Sequence, residues 1–417
     1  MKVVLFKLFT RYINKIKNLS YNQIILLLAV YFCFTAYLPF TGKYFFGDDF
    51  FRLVDNSNKM LGLLDIGMDG FFRPINHISF YICIKLFGFN PYPYGLFNFL
   101  LFLTNLILGY YIFNKITGSK ILSSIIIFIW ALNFKIAQNT LLMIVGRTET
   151  LWVFFFFLAL VALLYIKNTV LSLILFNILI FLSLLSKETA IMTLFATPII
   201  LITCKINKIK IILSLSFHII LTILYLYLRK NTNAWEISTA PDLYTYNYSL
   251  LYFLKKISYY IFNVYFISLI PIFFLIVFNT KDLKNDCSFK NMHALLILIT
   301  GIIFVIPTMP VPNSSYLYVY ISLPFLICSI ITFVKNSLII NNNILFIMII
   351  YLVIVLPISQ RKLVSVSLRS HTVSVLAENI KNLKGDTATI NLINNKFDTI
   401  NLEYALKVKE LSKNNKK

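Results

Sequence analysis

Long apolar runs separated by short polar loops set the rhythm of this chain. The runs 24–40, 96–113, 120–137, 149–166, 169–185, 189–204, 211–228, 257–278, 293–309, 316–334 and 344–358 carry few charges. Most approach the roughly twenty apolar residues that a membrane-crossing helix needs. One further run, 75–89, is shorter and contains Asn76 and His77. It is read as an interfacial helix along the membrane surface, with Pro74 at its first turn, where a missing N–H does no harm. The pattern predicts an all-α polytopic membrane bundle of about eleven spans, with interfacial helices in its first outer loop.

The polar loops orient that bundle. An N-terminal arm, 1–22, carries Lys2, Lys7, Arg11, Lys15 and Lys17. With 75–89 left out of the span count, the loops 114–120, 167–168, 205–210, 280–291 and 335–343 fall on the arm's side, and most are basic. Basic loops stay cytoplasmic. The opposite face receives 41–95, 139–148, 186–188, 229–252, 309–315 and the tail 360–417. The chain therefore divides into a cytoplasmic arm (1–22), a transmembrane domain (23–359, first outer loop 41–95) and a small soluble extracytoplasmic tail (360–417). In the tail, 371–383 and 401–413 read as amphipathic helices and 387–393 as a short strand.

Composition agrees with a membrane chain. At 59% hydrophobic and 13% charged residues, with a mean hydropathy of +0.80, the chain is too apolar for a soluble globule. The net charge of +22 sits in the arm, the short loops and the tail, which argues against a nucleic-acid partner. Five scattered cysteines imply no disulfide framework and no metal-binding spacing. No P-loop, dinucleotide fingerprint or HExxH is present.

What changes the picture is the face on which the mixed charges gather. Asp48, Asp49, Arg52, Arg73, His77, Arg147, Glu149, Lys187 and Glu188 all fall on the outer side, several within FGDDF, VGRTE and LSKE at span ends. Each has a plain reading. The carboxylate pair suits a solvated turn, Arg73 and Lys187 suit snorkelling anchors, and Arg147–Glu149 and Lys187–Glu188 suit local ion pairs. Their gathering on one face, while the inner loops carry cations with few acids, marks that face as the functional one.

YFFGDDFFRLVDN, FFRPINHISFYICIKLFGFNPYPYGLFN, IVGRTETLWVFFFFLALVALLY, LLSKETAI and PVPNSSYLYVYISLPF follow in that order. The set resembles the GT-C membrane glycosyltransferases, nearest the TMTC-like branch of the protein O-mannosyltransferase superfamily (glycosyltransferase family 39-like), over roughly residues 24–335. Departures are Asn133-Phe134 where that branch carries His-Pro, Ser315 where it carries Arg, and no tetratricopeptide array. The resemblance implies a GT-C-like fold and a sugar donor linked to a polyprenyl phosphate. It also implies a catalytic carboxylate from the acidic pair Asp48 and Asp49.

On that reading, one of the two aspartates is the general base for the acceptor hydroxyl. Arg73, Lys187 and Arg147 bind the donor phosphate, and His77, Glu149, Glu188 and Arg52 support them. Direct displacement inverts the anomeric centre. A divalent metal held by a carboxylate and His77 is an optional cofactor. The acceptor is a protein, glycan or lipid, and the setting is a bacterial cytoplasmic membrane with the active face outward. Two other classes remain open at this stage: a lipid-linked glycan flippase or transporter, which would carry ionisable groups near span midplanes, and a non-catalytic membrane scaffold.

Overall fold

The computed structural model describes residues 19–45, 48–57, 70–232, 246–279, 292–311, 315–335, 338, 341–379 and 407–408. The described residues are helical with no strand. α1 (Tyr21–Phe40) is followed by two short helices, α2 (Asp48–Ser57) and α3 (Pro74–Phe87). α4 (Pro91–Thr117) is long, and α5 (Lys120–Ala131) and α6 (Phe134–Leu142) form a pair bent by 52°. Next come α7 (Ile144–Tyr165), the shorter α8 (Thr169–Leu184) and α9 (Glu188–Thr203), and the long α10 (Lys208–Asn231) and α11 (Leu250–Asn279). The shorter α12 (Met292–Thr308), α13 (Tyr316–Phe333) and α14 (Asn342–Asn379) complete the chain order. Seven of these, α1, α4, α7, α10, α11, α13 and α14, are long and apolar enough to cross a membrane, or eight if the bent pair is one span.

α5 and α7 form the centre. Every residue of α5 from Leu122 to Ala131 is buried, as expected of a helix that is apolar on all sides. α1, α4 and α13 pack around it, and α7 packs against α4 and α8. The Trp130 ring lies 5.2 Å from Tyr320, 6.1 Å from Phe157 and 6.4 Å from Phe102. In lipid the alternative to such contacts is another apolar medium, so close packing and hydrogen bonds hold helices together, not water exclusion. The Asn105 amide accordingly reaches the Thr150 carbonyl at 2.9 Å and the Tyr320 hydroxyl at 3.1 Å, tying α4 to α7 and α13. Ser183 Oγ donates to the Trp152 carbonyl at 2.9 Å and ties α8 to α7.

The α5–α6 bend is held by side chains that take over the polar groups it frees. Tyr37 donates to the Ala131 carbonyl at 2.7 Å. The Asn133 amide donates to the Val264 carbonyl at 2.9 Å and to Ser268 Oγ at 3.0 Å, fixing the bend to α11. The segment read as one span from 120 to 137 is thus broken at Leu132-Asn133.

α10 and α11 are peripheral. Only 22% and 28% of their apolar windows are buried, against 67% for α7 and α13, so their rows of exposed Ile, Leu and Phe face the lipid. α14 runs unbroken past Gln360 to Asn379, so the compositional change at 360 does not end a helix. Arg361 and Lys362 are good helix formers, and no glycine follows until Gly385. The predicted helix at 401–413 and strand at 387–393 lie outside the described residues, apart from Lys407 and Val408.

A backbone crossing sets the end of the bundle that carries α2 and α3. Gly42 has φ +68°, and a Cβ on Gly95 would fall 2.3 Å from the Gly42 nitrogen. Only glycine at both positions lets the end of α1 lie on the first turn of α4.

Candidate functional site

α2 starts with two carboxylates in its first turn, where the helix dipole favours negative charge. Successive helical residues diverge by about 100°, so the two side chains go to different places. Asp49 is fully buried, and its Oδ1 accepts a 2.7 Å hydrogen bond from the Val145 backbone N–H. That bond fastens α2 to the first turn of α7. The turn is tight: a Cβ on Gly146 would lie 2.2 Å from the Asn139 carbonyl oxygen, which accounts for the glycine of VGRTE. Asp48 is the exposed member of the pair and stands in the wall of a cavity of about 290 Å³.

The same wall contains Arg73, Glu149, Lys187 and Glu188, drawn from three separate stretches of sequence. Arg73 precedes Pro74 at the start of α3. It makes a bidentate pair with Glu188, Nε to Oε2 at 2.8 Å and Nη2 to Oε1 at 2.5 Å. Its guanidinium also stacks 4.0 Å from the centre of the Phe71 ring. Lys187 Nζ donates to Glu149 Oε2, and both side chains are buried. These pairs differ from the local pairings expected from sequence, and the backbone gives the reason. Lys187 is extended (φ −160°, ψ 140°), so it and Glu188 point to opposite sides. The Ile75 N–H donates to the Leu185 carbonyl at 3.2 Å and joins α3 to this corner.

Arg147 is placed otherwise than expected. It is wholly buried and does not line the cavity. Its Nε donates to Asn98 Oδ1 at 3.0 Å, and its terminal nitrogens reach the Ser79 and Tyr94 carbonyls at 3.2 and 3.4 Å. The Phe80 and Phe97 rings flank it at 4.7 and 4.6 Å. It joins α3, α4 and α7 as a structural pin, away from the cavity in which the sequence reading placed it with Arg73 and Lys187.

Arg52 and His77 also lie away from the cavity, in a buried polar layer between α2 and α3. Asn56 donates to the Arg52 carbonyl at 2.9 Å, and its Oδ1 faces His77 Nδ1 at 3.2 Å. Asp55 Oδ2 lies 3.7 Å from Arg52 Nη1 and 3.8 Å from His77 Nδ1. Asn56 uses its N–H on a carbonyl, so the His77 nitrogen facing it carries the hydrogen. That nitrogen is no metal ligand. Among the described residues no group of three or more His, Cys, Asp and Glu is placed to hold a metal ion.

The cavity wall also holds residues outside the expected site set. Arg229, in the last turn of α10, adds a third cation. Tyr246, Ser315 and Tyr318 add hydroxyl groups and rings, with Tyr318 5.4 Å from Lys187 Nζ. The one available signal for Arg229 was its position at a span end on the same face as VGRTE and LSKE. A larger hollow of about 430 Å³ between α11 and α14, lined by Ile270, Phe274, Phe278, Phe346 and Ile350 among others, contains no charged side chain. The ionic cavity is therefore where chemistry is possible: three carboxylates, three cations and aromatic surface around a volume suited to a small polar headgroup. No family model matches this chain, and neither a curated protein nor a solved structure matches it at a significant level.

Proposed function

We propose that this protein is a membrane glycosyltransferase of GT-C type. It moves a sugar from a polyprenyl-phosphate donor to an acceptor hydroxyl on the extracytoplasmic face of a bacterial cytoplasmic membrane. The observation that carries this reading is the meeting of Asp48, Arg73, Glu149, Lys187 and Glu188 in one cavity, with Arg229 beside them. In this reading Asp48 is the general base. It takes the acceptor proton as the oxygen attacks the anomeric carbon and the bond to the phosphate oxygen breaks, with inversion. Asp49, buried and bonded to Val145, positions Asp48. Arg229, Arg73 and Lys187 stabilise the charge growing on the leaving phosphate, while Glu188 and Glu149 hold two of those cations in place beforehand.

The proposed topology keeps about eleven spans: the seven long helices, the bent pair and the three shorter apolar helices. α3, with 14 residues and a length of about 21 Å, is shorter than the roughly 30 Å hydrocarbon core. We assign it to the interface, where it brings Arg73 to the cavity rim.

The test uses purified protein in nanodiscs, a panel of radiolabelled polyprenyl-phosphate sugars and a membrane extract as acceptor. Label appearing in acceptor, lost in Asp48→Asn, supports transfer. Donor binding and movement between leaflets without transfer points instead to a flippase.

A further inference from the structure

α11 carries a lysine well inside an apolar helix. Lys256 is six residues past the helix start and only 2% exposed. A lysine there can reach water by snorkelling along its own helix. This one turns inward instead. Its ammonium donates to the Thr308 carbonyl at 2.7 Å and to the Val311 carbonyl. The neighbouring Tyr252 hydroxyl also donates to Val311 O at 2.8 Å, and the Asn247 N–H to Pro310 O at 2.8 Å. The start of α11 is thus laced to the turn that ends α12.

That turn is part of the cavity wall, which includes Pro307, Thr308 and Val311, whereas Lys256 itself stands behind it. A helix C-terminus carries about half a negative charge on its last carbonyls. α12 would therefore present its negative end to a cavity that already contains Asp48, Glu149 and Glu188. An anionic ligand would meet that field at close range, in a setting that screens it poorly. A buried ammonium against the Thr308 carbonyl at that end offsets it.

We propose that Lys256 is a positioning residue for anion binding. Clamped by the Thr308 and Val311 carbonyls, it cancels the negative end of α12 and fixes the wall, so that the cavity accepts a phosphate headgroup. The inference rests on the anion-binding cavity proposed above and adds a residue that does not touch the ligand.

The experiment measures binding of polyprenyl phosphate, and of uncharged polyprenol as a control, to wild-type protein, Lys256→Arg, Lys256→Gln and Lys256→Met in nanodiscs of neutral lipid. Gln still donates hydrogen bonds to the turn but carries no charge, and Arg keeps both. Expected is a weakening of polyprenyl-phosphate binding by about five- to thirtyfold in Gln and Met, with Arg within about twofold of wild type and polyprenol unchanged. Wild-type affinity in Gln overturns the inference, because the hydrogen bonds alone would suffice. So does an equal loss of polyprenol and polyprenyl phosphate, which marks a collapsed wall. Should Met fail to fold, the comparison of Gln with Arg decides. A wild-type protein that binds no polyprenyl phosphate overturns the anion cavity itself. Wild-type binding with unchanged variants overturns only the role of Lys256.

Discussion

Asp48 and Asp49 are adjacent in sequence but sit in opposite settings, one at the cavity and one buried, so on the proposed reading substituting them gives opposite signatures. Asp48 is exposed at the cavity, and Asp48→Asn keeps its shape. The stability cost includes the lost helix-dipole interaction, about 0.3–1 kcal/mol. On the proposed reading the activity cost is the loss of a general base, a factor of about 10²–10⁴, or roughly 2.7–5.4 kcal/mol of barrier. Asp49 is 0% exposed and accepts the 2.7 Å bond from Val145 N–H. Asp49→Ala leaves that donor without its partner and removes a hydrogen bond to a charged group, worth about 1.5–3 kcal/mol. It should lower the heat-challenged yield of monodisperse protein on fluorescence-detected size exclusion. Turnover is then measured per folded molecule for each variant. Asp48→Asn with normal turnover, or Asp49→Asn with none at wild-type stability, would refute the division of roles.

Three further outcomes follow from the same geometry. Arg147→Met removes the donors to Asn98, Ser79 and Tyr94 and should destabilise by about 3 kcal/mol or more; any surviving protein should keep its donor KM, and a selective rise in KM at normal yield would return Arg147 to phosphate binding. Lys187→Met strands the buried Glu149 carboxylate at a cost of about 3–5 kcal/mol. Adding Glu149→Gln should restore yield while transfer stays lost, and turnover in that double variant would show the pair to be structural only. Single cysteines in a cysteine-free background should label from outside at Tyr248 and only after permeabilisation at Lys167 and Asn207, all three being exposed; external labelling at Lys167 would invert the proposed orientation.

The helical segments were legible because apolar runs between basic loops leave few alternatives in lipid. Residues 96–113 fall inside α4 and 211–228 inside α10, and 149–166 passes the end of α7 by one residue. The break at Leu132-Asn133 was not legible, since Asn133 finds its partners on α11, some 130 positions away. At the site, the order of motifs pointed to the residues that meet in the cavity but not to how they pair. Lys187 and Glu188 look like neighbours in an ion pair, yet an extended backbone sends them to Glu149 and Arg73. Arg147 and Arg229 look alike in sequence, each a cation at the end of an apolar run. Gly146 draws Arg147 into the packed core, while Arg229 ends a peripheral helix and reaches the cavity.

The enclosure of α5 also bears on how the chain is made. α13 supplies Tyr320, which covers Trp130 and receives the Asn105 amide, and it emerges from the ribosome about two hundred residues after α5. At about 5–20 residues per second, that is a wait of some ten to forty seconds. Throughout it, the most central helix has lipid, or an insertion chaperone, where Tyr320 belongs. Slowing translation between α5 and α13 should lengthen the life of a protease-sensitive intermediate, and co-expressing the C-terminal helices as a separate fragment should shorten it.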